Sequence, residues 1–249
     1  RTRGTDDAVI GFAGTGEIPA GAVLICSVRF VARSDQFIAL IDNIAKHIAQ
    51  SNAQTVEAVL EEAYYADNGK TVAVLIAEAT AAIGEKISLR RFTKYTLTEA
   101  GIIASYIHMG GKIGVMVEAS KGASSEVVHD VALQIAAANS QYVTRDEVPQ
   151  AEVEHEKEIL KAQAMNEDSK KPEAIIEKML VGRINKFYKE VCLTEQVFVK
   201  NPDITIAQYL KQNGDVTVIR FTRYAMGEGL QKREDDFVGE VMAQAHLNK

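Results

Sequence analysis

The stretch ISLRRFTKY at residues 87–95 returns as VTVIRFTRY at 216–224, an offset of 129 from residue 87 to residue 216. Ile87 and Leu89 in one copy, and Val216 and Val218 in the other, are apolar at alternate positions, with Ser88 and Thr217 between them. That is the two-residue period of a half-buried strand. A chain that carries the same strand twice is constrained to build two like units.

The repetition extends outward from these strands. Helical spacing from Lys70 to Ile83 precedes the first copy and stops at Gly84, a residue suited to the left-handed end of a helix. A shorter helical stretch from Thr205 to Gln212 precedes the second copy and stops at Asn213 and Gly214. Upstream, KHIAQSNAQ at 46–54 is echoed by LQIAAANSQ at 133–141, and each echo follows a strand-like run, GAVLICSVRFVA at 21–32 and KIGVMVEAS at 112–120. The expected fold class is α+β, with two related core subdomains of antiparallel sheet and packed helices. The expected partition is 1–100 for the first subdomain, 101–148 with 191–225 for the second, and 226–249 for a C-terminal module containing a short helix.

The second unit is interrupted at 149–190. This stretch is dense in charge, its only glycine is Gly182, and Ile159, Leu160, Ile176, Leu180, Ile184 and Phe187 recur at helical spacing. NEDSKK at 166–171 supplies a turn, and Pro172 falls where the first turn of a helix tolerates proline. The spacing predicts an inserted antiparallel helical hairpin, a coiled coil whose first arm is roughly 25 Å long. Its charge pattern favours a solvated projection over a pair lying flat on the core.

Composition removes several classes of function. The chain has 249 residues and a net charge of -6, which disfavours broad contact with nucleic-acid phosphates. Cys26 and Cys192 form no CxxC pair, and His47, His108, His129, His155 and His246 are scattered singly, so no metal is expected. The longest apolar run, Val72 to Ala77, is far shorter than the roughly 20 residues that cross a bilayer. HMGGKIG at 108–114 has Ile113 where a phosphate loop needs Ser or Thr, so it reads as a turn. GTGEIPAG at 14–21 has no helix after it, and no GxSxG elbow is present. Covalent chemistry and a bound cofactor are therefore not expected. Phe30 stands where a strand gives way to a loop, just ahead of Ser34 and Asp35, which offer a helix N-cap.

Five blocks in order, FVARSDQF at 30–37, IGEKISLRRF at 83–92, SYIHMGGKIGVMVE at 105–118, EKMLVGRINKF at 177–187 and MGEGLQKREDDFVGEVMAQ at 226–244, closely resemble translation elongation factor Ts, the family of nucleotide exchange factors for elongation factor Tu. The resemblance runs from about residue 8 onward, and the family's small N-terminal helical domain has no counterpart in it. It implies a protein that binds elongation factor Tu carrying GDP and promotes exchange for GTP, without covalent chemistry. Family members usually carry Thr-Asp-Phe-Val where this chain has Val28, Arg29, Phe30 and Val31. The resemblance therefore implies a partner contact at Phe30, with Arg29 and Val31 beside it, and puts Arg29 in question. It further implies contacts at His108, Met109 and Gly110, and at Gly84 and Glu85. Arg91, Phe92, Arg220 and Phe221 in the duplicated strands are expected to be scaffold. No membrane or direct nucleic-acid partner is expected, the hairpin is a candidate for self-association, and the setting is bacterial cytoplasm or an organelle's stroma or matrix. The alternative is a protein that holds elongation factor Tu without efficient exchange.

Overall fold

In a computed structural model, the described residues are 7–15, 18–26, 34–97, 100–167, 173–226 and 228, and side chains are described from residue 34 on except at 165–174. The expected C-terminal helix, the strand-to-loop junction at Phe30 and Pro172 lie outside the described residues.

The first unit opens with strands β1 (Asp7–Thr15) and β2 (Ile18–Cys26), which pair antiparallel. Helix α1 (Asp35–Gln50) follows, with the Ser34 hydroxyl accepting from the Phe37 amide at 3.2 Å as N-cap. Phe37, Leu40, Ile41, Ile44 and Ile48 recur three and four apart, form one face of the helix and are buried. A short α2 (Val56–Glu61) leads into the hairpin β3 (Ala63–Tyr64) and β4 (Asp67–Thr71), then α3 (Val72–Ile83) and β5 (Ile87–Lys94). β5 completes an antiparallel sheet in the order β1-β2-β5.

The second unit repeats the plan. β6 (Gly101–His108) and β7 (Ile113–Ser120) pair antiparallel, and α4 (Ser125–Ala138) follows with Ser124 as its cap. Then come α5 (Gln150–Glu167) and α6 (Glu173–Val191), the hairpin β8 (Val197–Phe198) and β9 (Asn201–Thr205), α7 (Ile206–Gln212) and β10 (Val218–Ala225). Its sheet order is β10-β7-β6, also antiparallel. Two separate apolar clusters result, one around Phe37, Ile41, Ile44 and Leu89, the other around Val117, Val131, Ile135 and Ile206. The expected α+β architecture is the observed one.

The helices before the repeated strands start later than their spacing predicts. Lys70 and Thr71 belong to β4, and Thr205 belongs to β9. Each threonine hydroxyl caps the helix that follows, accepting from Val74 N or Gln208 N at 3.3 Å. The sequence pattern reads these residues as helical because a cap directly adjoins the apolar period. The matching of the two units extends into β3–β4 and β8–β9. Ala63 pairs with Thr71 and Tyr64 with Asp67, while Val197 pairs with Thr205 and Phe198 with Asn201. Each turn is closed by an acid or amide side chain accepting a backbone N–H two residues on, Asp67 from Gly69 at 3.0 Å and Asn201 from Asp203 at 3.1 Å.

The duplicated strands also share a bulge. Pairing skips Arg90 in β5 and Ile219 in β10, which are matched positions of the repeat. An extra residue reverses which face later side chains take. Ile87, Leu89 and Phe92 therefore pack toward the first core despite their uneven spacing, as do Val216, Val218 and Phe221 toward the second. The residues left over, Arg91, Thr93 and Tyr95 with Arg220, Thr222 and Tyr224, meet across the two units. Tyr95 OH bonds Thr222 Oγ1 at 2.7 Å, and Thr93 Oγ1 bonds Tyr224 OH. The Arg91 guanidinium lies 4.4 Å over the Tyr224 ring, and that of Arg220 lies 4.2 Å over the Tyr95 ring. Self-complementary pairing of this kind is the mark of a two-fold interface, here written within one chain.

At the root of α5 and α6, Val148, Val153, Val191 and Cys192 form a small apolar cluster, and Tyr142 OH donates to Glu152. Arg145 pairs with Glu195, donates to Asn185 Oδ1 at 3.0 Å and lies 4.5 Å over the Tyr188 ring. Burial pushes the Cys192 thiol up to about 11, with Glu195 adding to the effect.

Candidate partner-binding surface

The β6–β7 connection is built from three successive residues with left-handed backbone, Met109 (φ 52), Gly110 (φ 65) and Gly111 (φ 92). Two glycines take up this geometry without a Cβ penalty, whereas Met109 takes it up against its own preference. The turn follows directly on the last ladder pair, His108 with Ile113, so both strands hold it in place. Met109 is 60% exposed, a high value for a large apolar side chain. Ile107, at 41%, is exposed beside it. Together they give the second unit an uncovered apolar tip.

His108 differs from its neighbours. Alternation along β6 puts it on the same face as Ile102, Ala104 and Tyr106, which pack against the second core. Its Nδ1 lies 3.0 Å from Tyr106 OH, and the Tyr106 ring meets His129 of α4 edge-on at 5.1 Å. His108 is thus half-buried and held by its own unit, while Met109 and Gly110 are exposed. Sequence reading passed over Ile107, although an isoleucine on the solvent face next to a glycine turn was the available signal.

Gly84 caps α3 with φ 79, its amide donating to Thr80 O at 2.9 Å. A Cβ built on it would meet nothing within 4 Å, so the glycine is required by the backbone alone. Glu85 follows, half-buried, at the entry to β5. These two residues and the β6–β7 turn belong to different units, and the structure does not join them into one cluster. Arg29, Phe30 and Val31 lie outside the described residues.

Among the described residues, no group of three or more His, Cys, Asp or Glu is placed to hold a metal ion, and no helix is long and apolar enough to cross a membrane. Among the described residues, the two buried carboxylates are paired within the fold. Asp130 takes Lys200 and the Tyr209 hydroxyl at 3.0 Å, and Glu118 takes Arg220 Nε at 2.6 Å.

Core and turns together define a class: a duplicated α+β protein with two helices set into its second half and apolar residues exposed at a turn. The family model described as Elongation factor TS matches residues 29–228. Two curated relatives, Elongation factor Ts of Clostridium botulinum strain ATCC 19397 / Type A and of strain Loch Maree / Type A3, are each 45% identical over 233 residues, covering 90% of this chain and 75% of the relative. The chain belongs to the elongation factor Ts family.

Proposed function

We propose that this chain binds elongation factor Tu in its GDP form and promotes release of GDP and its exchange for GTP during polypeptide elongation. The observation that carries this reading is the 45% identity over 90% of the chain to proteins of that name. Exchange of this kind needs no catalytic base. GDP is held on its carrier by backbone donors, a lysine and a magnesium that neutralises the phosphates, and a wedge that displaces the magnesium-side elements weakens all of these together. A rigid aromatic suits a wedge because it loses little side-chain entropy on insertion, and Phe30 is assigned that role. Linkage makes the effect reciprocal: a factor that lowers GDP affinity is itself held less tightly once nucleotide binds, so incoming GTP ejects it.

In this reading the first core unit, residues 1–100, acts on the nucleotide-binding domain, with Gly84 and Glu85 as a second contact. The second unit, 101–148 with 191–225, grips another domain through Met109, Gly110 and His108. Residues 149–190 and 226–249 form a hairpin and a C-terminal module, and the hairpin is a candidate for self-association. No covalent step, cofactor or nucleic-acid contact is assigned, and the setting is the compartment in which translation occurs. A second reading, a grip without efficient exchange, is favoured by Arg29 where the family usually has Asp. The exchange reading is tested by isolating the complex with nucleotide-free elongation factor Tu. Excess GDP or GTP should dissolve it, and a complex indifferent to nucleotide would refute the linkage.

A further inference from the structure

His47 in the last turn of α1 is 5% exposed and fully engaged. Its Nδ1 faces the backbone N–H of Tyr65 at 3.3 Å, and its Nε2 lies 2.8 Å from Glu62 Oε2. A backbone amide only donates, so Nδ1 must present a lone pair, and the ring proton sits on Nε2, directed at the carboxylate. The neutral imidazole thus pins the β3–β4 hairpin to α1. The second unit makes the same pin from different residues. Gln134 of α4 occupies the place of His47 in the repeat; its Oε1 accepts from Val199 N at 2.8 Å and its Nε2 donates to Gln196 Oε1 at 3.2 Å. Val199 holds the position in β8–β9 that Tyr65 holds in β3–β4, and Gln196 that of Glu62.

An amide offers one donor and one acceptor at every pH, whereas an imidazole offers them only while neutral. From this contrast we infer that the His47 pin is a proton-operated release built into the first unit alone. A second proton, on Nδ1, turns the Tyr65 contact into two opposed donors while converting the Glu62 contact into an ion pair. Acid therefore strengthens the link from α1 to Glu62 at the base of the hairpin while releasing the Tyr65 amide at its turn. The surrounding charges are arranged for this. Glu62 is steadied by Ser51 Oγ at 2.9 Å. Lys94, reaching in from β5, is held on Ser51 O at 2.7 Å. On β4, Lys70 is occupied by Asp67 and by Glu78 of α3. Tyr64 and Tyr65 face the imidazole at ring distances of 6.2 and 6.3 Å.

Native-state hydrogen exchange on the whole chain provides the test, with the Val199 amide as internal reference. After correction for the intrinsic pH dependence of exchange, lowering pH from about 7.5 to about 5.5 should raise the Tyr65 rate relative to Val199 by about tenfold. His47→Gln, which copies the second unit, should abolish the response. Gln134→His with Gln196→Glu should transfer it to Val199. A constant Tyr65-to-Val199 ratio in the unmodified chain would overturn the inference, as would an undiminished response in a folded His47→Gln variant. The unmodified chain decides the matter even if a variant does not fold.

Discussion

Tyr95 and Thr222 are joined through their hydroxyls at 2.7 Å, and Thr93 and Tyr224, their counterparts in the repeat, make the mirrored contact. Sequence duplication and interface symmetry are therefore one fact: each tyrosine pairs with the threonine of the other copy, so the same two residue types make the contact twice. The environments still differ. Arg220 is neutralised by the buried Glu118 of its own sheet, and Arg91 by Glu228 at 3.0 Å.

Tyr95→Phe and Tyr224→Phe should each lower unfolding stability by about 1 kcal/mol, since each removes one hydrogen bond and keeps the ring under its arginine. Urea denaturation measures this. Nearly equal losses are expected from the symmetry, and a loss in one variant with none in the other would show that the reciprocity is not energetic.

Met109→Asp should weaken binding to elongation factor Tu roughly tenfold or more while leaving thermal unfolding unchanged, because the side chain is exposed and makes no core contact. Titration calorimetry supplies the affinity. Unaltered binding would remove the β6–β7 turn from the interface.

Alkali should loosen the second unit. The hydrogen bond to Glu152, with burial, pushes Tyr142 up to about 12, and burial, with Asp130, does the same for Tyr209. In the unfolded chain tyrosine ionises near 10. Both phenols hold their protons more tightly when folded, so their contribution is complete below about pH 10 and is lost as pH rises from there through about 12. The urea midpoint should fall over that window, and less steeply in the Tyr142→Phe, Tyr209→Phe double variant. An equal fall would assign the alkaline loss to other groups.

Phe30→Ala should slow the exchange step with little effect on unfolding, and Arg29→Asp, which restores the usual family residue, should preserve or raise the rate. Stopped-flow measurement of GDP release reads both. A large loss with Arg29→Asp would show that Arg29 makes a contact of its own with the partner.

Much of the fold was legible because two periods were written twice. Strand alternation around Ile87 and Val216, and the echo of KHIAQSNAQ in LQIAAANSQ, announced two α+β units. Other parts were hidden for physical reasons. DNGKT and NPDIT pair as β-strands without any apolar alternation, since backbone and Asx-turn hydrogen bonds hold these edge hairpins. The bulges at Arg90 and Ile219 broke the strand period where it turns from core to interface. Which residues face the opposite unit could not be read from either copy alone. The glycine turn at Gly110 was visible, and so was the signal for Ile107, an isoleucine on the solvent face of β6 beside that turn.

The measurement that bears most directly on function is the release rate of fluorescent GDP from elongation factor Tu, at fixed magnesium, with increasing amounts of this chain. Release that accelerates with chain concentration and then saturates is the expected result. Complex formation with release unchanged at saturation would contradict exchange and leave a protein that only holds its partner.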